Sequence, residues 1–243
     1  MNPTTLLRAS RLAYSINATG DGFDPLDLDT LGGSRDYRFI KVGEDACFVC
    51  KVDGVTLIAF RGTQSYAGLK SITDFIKDWG GDVKCELVPY KHDTKVHRGF
   101  LESHQNLWVT LRNIPITKDV CITGHSKGGA LAILAGLGFW RGGYNVRVTT
   151  FAAPRVGNKA FANYCDTRLG EDLVRWENMD DIIPHTPYDR SAGSLRFIHW
   201  DGTVCNDSLI LSLRRRWRLI FAGDELIQDH FIDNYAKGVK DAG

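Results

Sequence analysis

The stretch Cys121-Ile122-Thr123-Gly124-His125-Ser126-Lys127-Gly128-Gly129-Ala130 joins an apolar, strand-like run to a helix-forming one through a Gly-x-Ser-x-Gly pentapeptide. This layout predicts a nucleophile elbow with Ser126 at its tip. A serine held in a tight strand-to-helix turn needs small neighbours, because side chains at 124 and 128 would strike the flanking backbone. Glycine at both positions meets that need. The turn also sets Ser126 at a helix N-terminus, where unpaired backbone N–H groups and the helix dipole favour the negative charge that develops in acyl transfer. A bare pentapeptide of this type also marks ordinary loops, so its context decides. Residues 120–123 are apolar or β-branched, as a buried parallel strand requires, and Ala130, Leu131, Ile133, Leu134 and Leu137 recur at helical spacing.

Outward from the elbow, residues 4–16 place Leu6, Leu7, Ala9, Leu12 and Ala13 on one helical side and are expected to pack as a leading helix, with 17–36 as loop. Strands are expected at about 37–42, 46–52 and 56–60, with Asp53-Gly54 as the hairpin turn between the last two. After Arg61 the periodicity changes. A helix near 101–111, the elbow strand and helix, a strand at 146–151, a helix at 158–168 and a strand at 173–177 then alternate. Such alternation implies an α/β fold, a mainly parallel central sheet with helices on both faces. Ligands of these sheets gather at the carboxyl ends of the strands, where the elbow sits. No internal repeat or low-complexity linker interrupts the pattern, and 243 residues of which 43% are hydrophobic suit one domain, 1–243, with a substantial core.

A net charge of +1 argues against the broad positive field that nucleic-acid binding needs, and no zinc-type Cys and His spacing occurs. Neither nucleic acid, nor a metal, nor another cofactor is expected. No stretch reaches membrane-spanning length, and the start lacks a basic flank followed by an apolar run of signal-peptide length. A soluble protein is expected, cytoplasmic or secreted with its signal outside this sequence. The cysteines at 47, 50, 85, 121, 165 and 205 are too few to scaffold a chain of this size and are expected to be free thiols. Cys47 and Cys50 form a CxxC, but in a strand-like run side chains three apart point to opposite faces, which argues against a redox pair.

Ser126 is a poor nucleophile until a base removes its proton, and histidine is the side chain suited to that task. With a nucleophile elbow the chain order is Ser, acid, His, which leaves His185, His199 and His230. His199 lies in Arg-Phe-Ile-His-Trp, which reads as a strand, and His185 follows the acid candidates too closely. His125, beside the nucleophile, is expected to pack or hydrogen-bond locally. His230, late in the chain, is the favoured base. The acid is expected where the strand at 173–177 ends, in Asn178-Met179-Asp180-Asp181-Ile182-Ile183-Pro184, where either aspartate could orient the histidine. One oxyanion donor is the backbone N–H after the nucleophile, at Lys127, and Arg61-Gly62-Thr63 at the end of an earlier strand supplies a turn from which Thr63 can offer a second.

Phe60-Arg61-Gly62-Thr63, residues 71–78 (SITDFIKD), Val96-His97-Arg98-Gly99-Phe100, residues 124–130, residues 153–158 (APRVGN), residues 178–184 and the late His230 follow one another across most of the chain. In these motifs the chain resembles the class 3 lipases, the fungal-type triacylglycerol lipases of the α/β hydrolase fold. The resemblance implies Ser126 as nucleophile, Asp181 as the acid, His230 as the base, and Thr63 with Lys127 as oxyanion donors. It also implies a lid at about 65–76, with Tyr66, Leu69, Ile72, Phe75 and Ile76 lining the inner side of a short amphipathic helix; core packing is the rival reading of that stripe. Two departures stand out. The family usually has leucine where this chain has Lys127, whose long cation is expected to pair with a nearby acid or touch substrate. Secreted members carry signal peptides and disulfides, and neither is evident here.

A serine carboxylester hydrolase is therefore expected, with lipase as the leading substrate class and phospholipase or feruloyl-type esterase as alternatives on the same triad. A catalytically silent lipid-binding module is the rival from another class, and the full set of Ser, Asp and His argues against it. The expected partner is an ester or lipid substrate, with transient contact at a lipid interface. The basic run at 214–218 reads first as a solvated helix face and second as an anchor to anionic lipid. Oligomeric state is not legible.

Overall fold

In the computed structural model, which describes residues 1–23, 31, 36–63, 86–179, 181–187, 190–206 and 229–240, the first three strands form an antiparallel meander. They are Arg38–Val42 (β1), Asp45–Val52 (β2) and Val55–Phe60 (β3). Asp53 and Gly54 have φ of 50° and 79°, the left-handed pair that a two-residue hairpin turn requires. Leu87–Pro89 (β4) and Lys95–His97 (β5) make a separate ribbon. Asp119–His125 (β6), Asn145–Phe151 (β7), Leu173–Asn178 (β8) and Ser194–Ile198 (β9) then extend the main sheet in parallel from β3, and Val204–Cys205 (β10) closes it antiparallel. The strand order is β1-β2-β3-β6-β7-β8-β9-β10.

Strand β3 shows why the sheet reads as continuous apolar sequence. Ile58 and Phe60 enter the core on one face, which also holds Phe100, Leu107, Leu131, Leu134 and Phe161. Leu57 and Ala59 enter the core on the other, with Leu6, Leu12, Tyr235 and Val239. Both faces are covered, so both strand positions are apolar. The first core is roofed by Arg98–Leu111 (α2), Lys127–Arg141 (α3) and Lys159–Leu169 (α4); the second by Pro3–Leu12 (α1) and Ala236–Lys240 (α5). Cys47 and Cys50 fall in opposite cores, as period-two geometry dictates, and the described cysteines are free thiols.

Caps explain the shifted helix boundaries. Helix α1 starts with Pro3 behind Asn2, whose side chain accepts the Thr5 N–H at 2.8 Å, and tightens into a 3-10 turn at Ala13–Ser15. Helix α2 begins at Arg98, ahead of the expected 101, because His97 Nδ1 accepts the Phe100 N–H. The strand-like run around His199 forms as β9 but stops at Ile198. Strands β4, β5 and β10, two or three residues each, are too short to leave a period in the sequence. The lid at 65–76, the basic run at 214–218, Cys85 and Asp180 lie outside the described residues. No described helix is long and apolar enough to cross a membrane.

Candidate active site

Strand β6 delivers Ser126 to the start of α3 with φ 56° and ψ −130°. That conformation is strained for any residue with a side chain, and the surroundings hold it. The Ser126 N–H donates to Phe151 O at 2.9 Å, and Ser126 O accepts from the Gly129 N–H at 2.9 Å. A Cβ on Gly124 would lie 2.3 Å from Gly128 O, and one on Gly128 would lie 2.3 Å from Phe60 O. These are backbone atoms that cannot rotate away, so both glycines are required by contact. As at any helix start, the first N–H groups of α3 have no partner within the helix.

His230 meets Ser126 from the far end of the chain. Its Nε2 lies 2.9 Å from Ser126 Oγ, and its Nδ1 lies 3.0 and 3.1 Å from the two carboxylate oxygens of Asp181. Asp181 stands three residues beyond β8. All three side chains are buried, at 4%, 3% and 1% exposure. A carboxylate only accepts, so Nδ1 carries the proton in the neutral ring and Nε2 is left to accept the serine hydroxyl. Burial alone would raise the Asp181 pKa, but the His230 charge and hydrogen bonds from His230, Tyr235 and the Ile183 N–H outweigh it and hold the carboxyl below its usual range.

Around this chain of bonds lies a set of supports that sequence reading did not find. Tyr235, fully buried at the end of a 3-10 turn (Ile232–Tyr235), donates its hydroxyl to Asp181 Oδ2 at 2.7 Å and accepts the Asn178 N–H at 3.2 Å. Asn178 Nδ2 donates to Asp229 O, fixing the residue before His230. His125 Nε2 lies 2.7 Å from His230 O and must donate to it, so His125 Nδ1 accepts the Tyr14 hydroxyl at 2.8 Å. Burial, then the neighbouring His230 charge, pushes the His125 pKa down to about 3. Its local packing role was legible; the tether to His230 was not.

The predicted oxyanion residues lie on adjacent segments. Phe60, the last residue of β3, pairs with Gly124. A Cβ on Gly62 would come within 2.8 Å of His125 O, so the turn after β3 runs directly against the elbow, with exposed Thr63 one residue on. The Lys127 ammonium pairs with Asp45 at 2.7 Å, an acid that the sequence did not single out. The rejected histidines are engaged elsewhere: His185 Nε2 lies 3.4 Å from Glu177, and His199 Nε2 lies 3.3 Å from Cys205 Sγ. Among the described residues no cluster of three or more His, Cys, Asp or Glu is disposed to hold a metal ion.

The chain is similar to known proteins over much of its length. The model of the family Lipase (class 3) matches residues 57–191. The chain is 35% identical over 156 residues to a lipase of Rhizopus niveus, covering 58% of this chain and 36% of that protein. It is 35% identical over 207 residues to secreted mono- and diacylglycerol lipase 2 of Gibberella zeae, covering 71% of this chain and 48% of that one. The chain thus spans between a third and a half of the length of these relatives. Among solved structures, a triacylglycerol lipase whose catalytic centre is formed by a serine protease triad superposes with a TM-score of 0.67 at 27% identity, covering 93% of this chain and 91% of that one.

Proposed function

Since the chain belongs to the class 3 lipase family, we propose that it is a serine carboxylester hydrolase, acting on acylglycerol esters through an acyl-enzyme. The observation that carries this is the unbroken line from Asp181 through His230 to Ser126 Oγ. Ser126 Oγ attacks the ester carbonyl carbon as His230 Nε2 takes its proton; the carbonyl electrons move to oxygen. That oxyanion rests on the backbone N–H groups of Thr63 and Lys127, where loss of one donor costs about 10²- to 10³-fold in rate. The intermediate collapses, the alcohol leaves with the proton from His230, and an acyl-serine remains. Water, deprotonated by His230, then attacks the acyl carbon; the second oxyanion collapses, the bond to Ser126 Oγ breaks, Oγ takes the proton back from His230, and the carboxylic acid leaves. Asp181 holds the ring tautomer and stabilises the imidazolium that forms twice per cycle. Residues 1–243 act as one domain.

Similarity to mono- and diacylglycerol lipases and to a triacylglycerol lipase supports acylglycerols as the substrate class. The test is a chain-length series of p-nitrophenyl esters with wild type and Ser126→Ala, alongside labelling by a fluorophosphonate. Wild type should hydrolyse the esters and label, and the variant should do neither; equal activity in both would end the serine mechanism. A length optimum at short acyl chains would redirect the reading to an esterase. With 65–76 as a lid, activity should rise as ester passes its solubility limit, and a smooth saturation curve through that limit counts against a lid.

A further inference from the structure

Lys127 follows the nucleophile at the start of α3, and the partner of its side chain lies two strands away. Strand β2 runs antiparallel to β3, so its first residues stand beside the last residues of β3, with Cys47 opposite Phe60; β3 in turn ends beside Gly124 of β6. The Lys127 to Asp45 pair therefore reaches past the end of β3, with the two side chains 23% and 13% exposed. The turn between β1 and β2, at residues 43–44, and the start of β2 also receive Arg61. The Arg61 N–H donates to Ala46 O at 2.9 Å, and its guanidinium donates to Glu44 O at 2.8 Å and to Ile16 O at 3.2 Å.

Three consecutive residues, Glu44, Asp45 and Ala46, thus grip both segments that carry the oxyanion donors. One grip reaches Arg61, two residues before Thr63, and the other reaches Lys127 itself. We propose that Asp45 is a positioning residue: its ion pair with Lys127 ties the N–H after the nucleophile to the turn that anchors Arg61-Gly62-Thr63, and so sets the separation of the two donors. This rests on Ser126 being the nucleophile. A partly exposed ion pair contributes little to folding, whereas a donor displaced by a fraction of an ångström loses much of its hold on the oxyanion. The effect of Asp45 therefore falls on turnover more than on stability.

The test compares Asp45→Asn, Lys127→Met, the double variant and Lys127→Arg on soluble p-nitrophenyl butyrate and with an alkylboronic acid, which becomes a tetrahedral anion on the serine. Asp45→Asn, Lys127→Met and the double variant should each lower kcat about tenfold with KM within about twofold of wild type, because one shared strut is lost. The boronic acid inhibition constant should rise in proportion to the fall in kcat, melting temperatures should stay near wild type, and Lys127→Arg, which keeps the pair, should retain most of the activity. Unchanged kcat, a fall in kcat with unchanged boronic acid affinity, additive losses in the double variant, or a Lys127→Arg as impaired as Lys127→Met would each overturn the role. Should Asp45→Asn fail to fold, the contrast between Lys127→Met and Lys127→Arg decides. Fluorophosphonate labelling of wild type separates the two levels. An unlabelled wild type overturns the serine mechanism and this role with it, whereas a labelled wild type with unaffected variants overturns only the role of Asp45.

Discussion

The hydroxyl of Tyr235 lies 2.7 Å from Oδ2 of Asp181, in a place where both side chains are enclosed by protein. It joins His230 Nδ1 and the Ile183 N–H as donors to one carboxylate. Burial, then the Asp181 charge, pushes the phenol pKa well above its ordinary value, so the hydroxyl stays a donor at any working pH.

Tyr235→Phe removes that donor and keeps the ring. We expect a loss of about 1.5–3 kcal/mol of stability, as for other hydrogen bonds to charged groups, with a several-fold lower kcat as the carboxylate loosens. Urea unfolding and steady-state kinetics check both. A variant matching wild type in each would show that Asp181 does not depend on this contact.

Asp181→Asn should lower kcat by about 10⁴-fold, because an amide can present the wrong group to Nδ1 and select the wrong ring tautomer. Asp180→Asn should leave the rate near that of wild type, since Asp181 is the aspartate that meets His230. A larger loss from the Asp180 variant would reverse the assignment.

Acid should unfold the protein earlier than carboxylate protonation alone would. Burial holds His97 and His104 down to about 4 and His125 down to about 3. The unfolded chain binds a proton at each below about 6.5, and the folded chain does not. Each site therefore contributes stability that is complete above that value and is lost, at about 1.4 kcal/mol per pH unit, as pH falls toward the folded pKa. The lowered Asp181 pKa acts in the same direction at still lower pH. His104 packs beside Trp108, outside the site. Denaturant titrations at pH 7 and pH 5 on wild type and His104→Phe should show a shallower loss in the variant, and parallel slopes would refute the linkage.

Gly128→Ala puts a methyl group 2.3 Å from Phe60 O and 3.0 Å from the Arg61 carbonyl carbon. Neither can swing aside, so we expect about 3 kcal/mol of destabilisation or more, together with lost activity as β3 and the elbow are forced apart. Thermal melting measures the first, and a melting temperature equal to wild type would contradict the contact.

The parts legible in the sequence are those whose chemistry is written locally. Gly124, Ser126 and Gly128 sit within five residues, and the apolar runs on either side identify strand and helix. Chain order narrows the base to His185, His199 and His230, and the strand around His199 and the closeness of His185 to the acid leave His230. The supports were not legible because each joins ordinary residues far apart: Tyr14 to His125, Asp45 to Lys127, Tyr235 to Asp181. A tyrosine at the end of a 3-10 turn or an aspartate at a strand start carries no local mark of its partner. Only the packing of α1 and α5 against one face of the sheet, and the antiparallel return of β2, bring them within reach. The short strands β4, β5 and β10 were missed for the opposite reason, having too few residues to show any period.

The backbone at Ser126 carries one more implication. With φ at 56° it occupies a region that glycine enters freely and other residues enter under strain. Ser126→Ala and Ser126→Gly both lack the hydroxyl, yet the glycine variant should be the more stable by about 1 kcal/mol and so melt at the higher temperature, and a lower melting point would show that the turn is relaxed. Stability and chemistry thus favour different residues at a single position. The backbone alone suits glycine at residue 126, and the proposed acyl-enzyme chemistry is what calls for serine there.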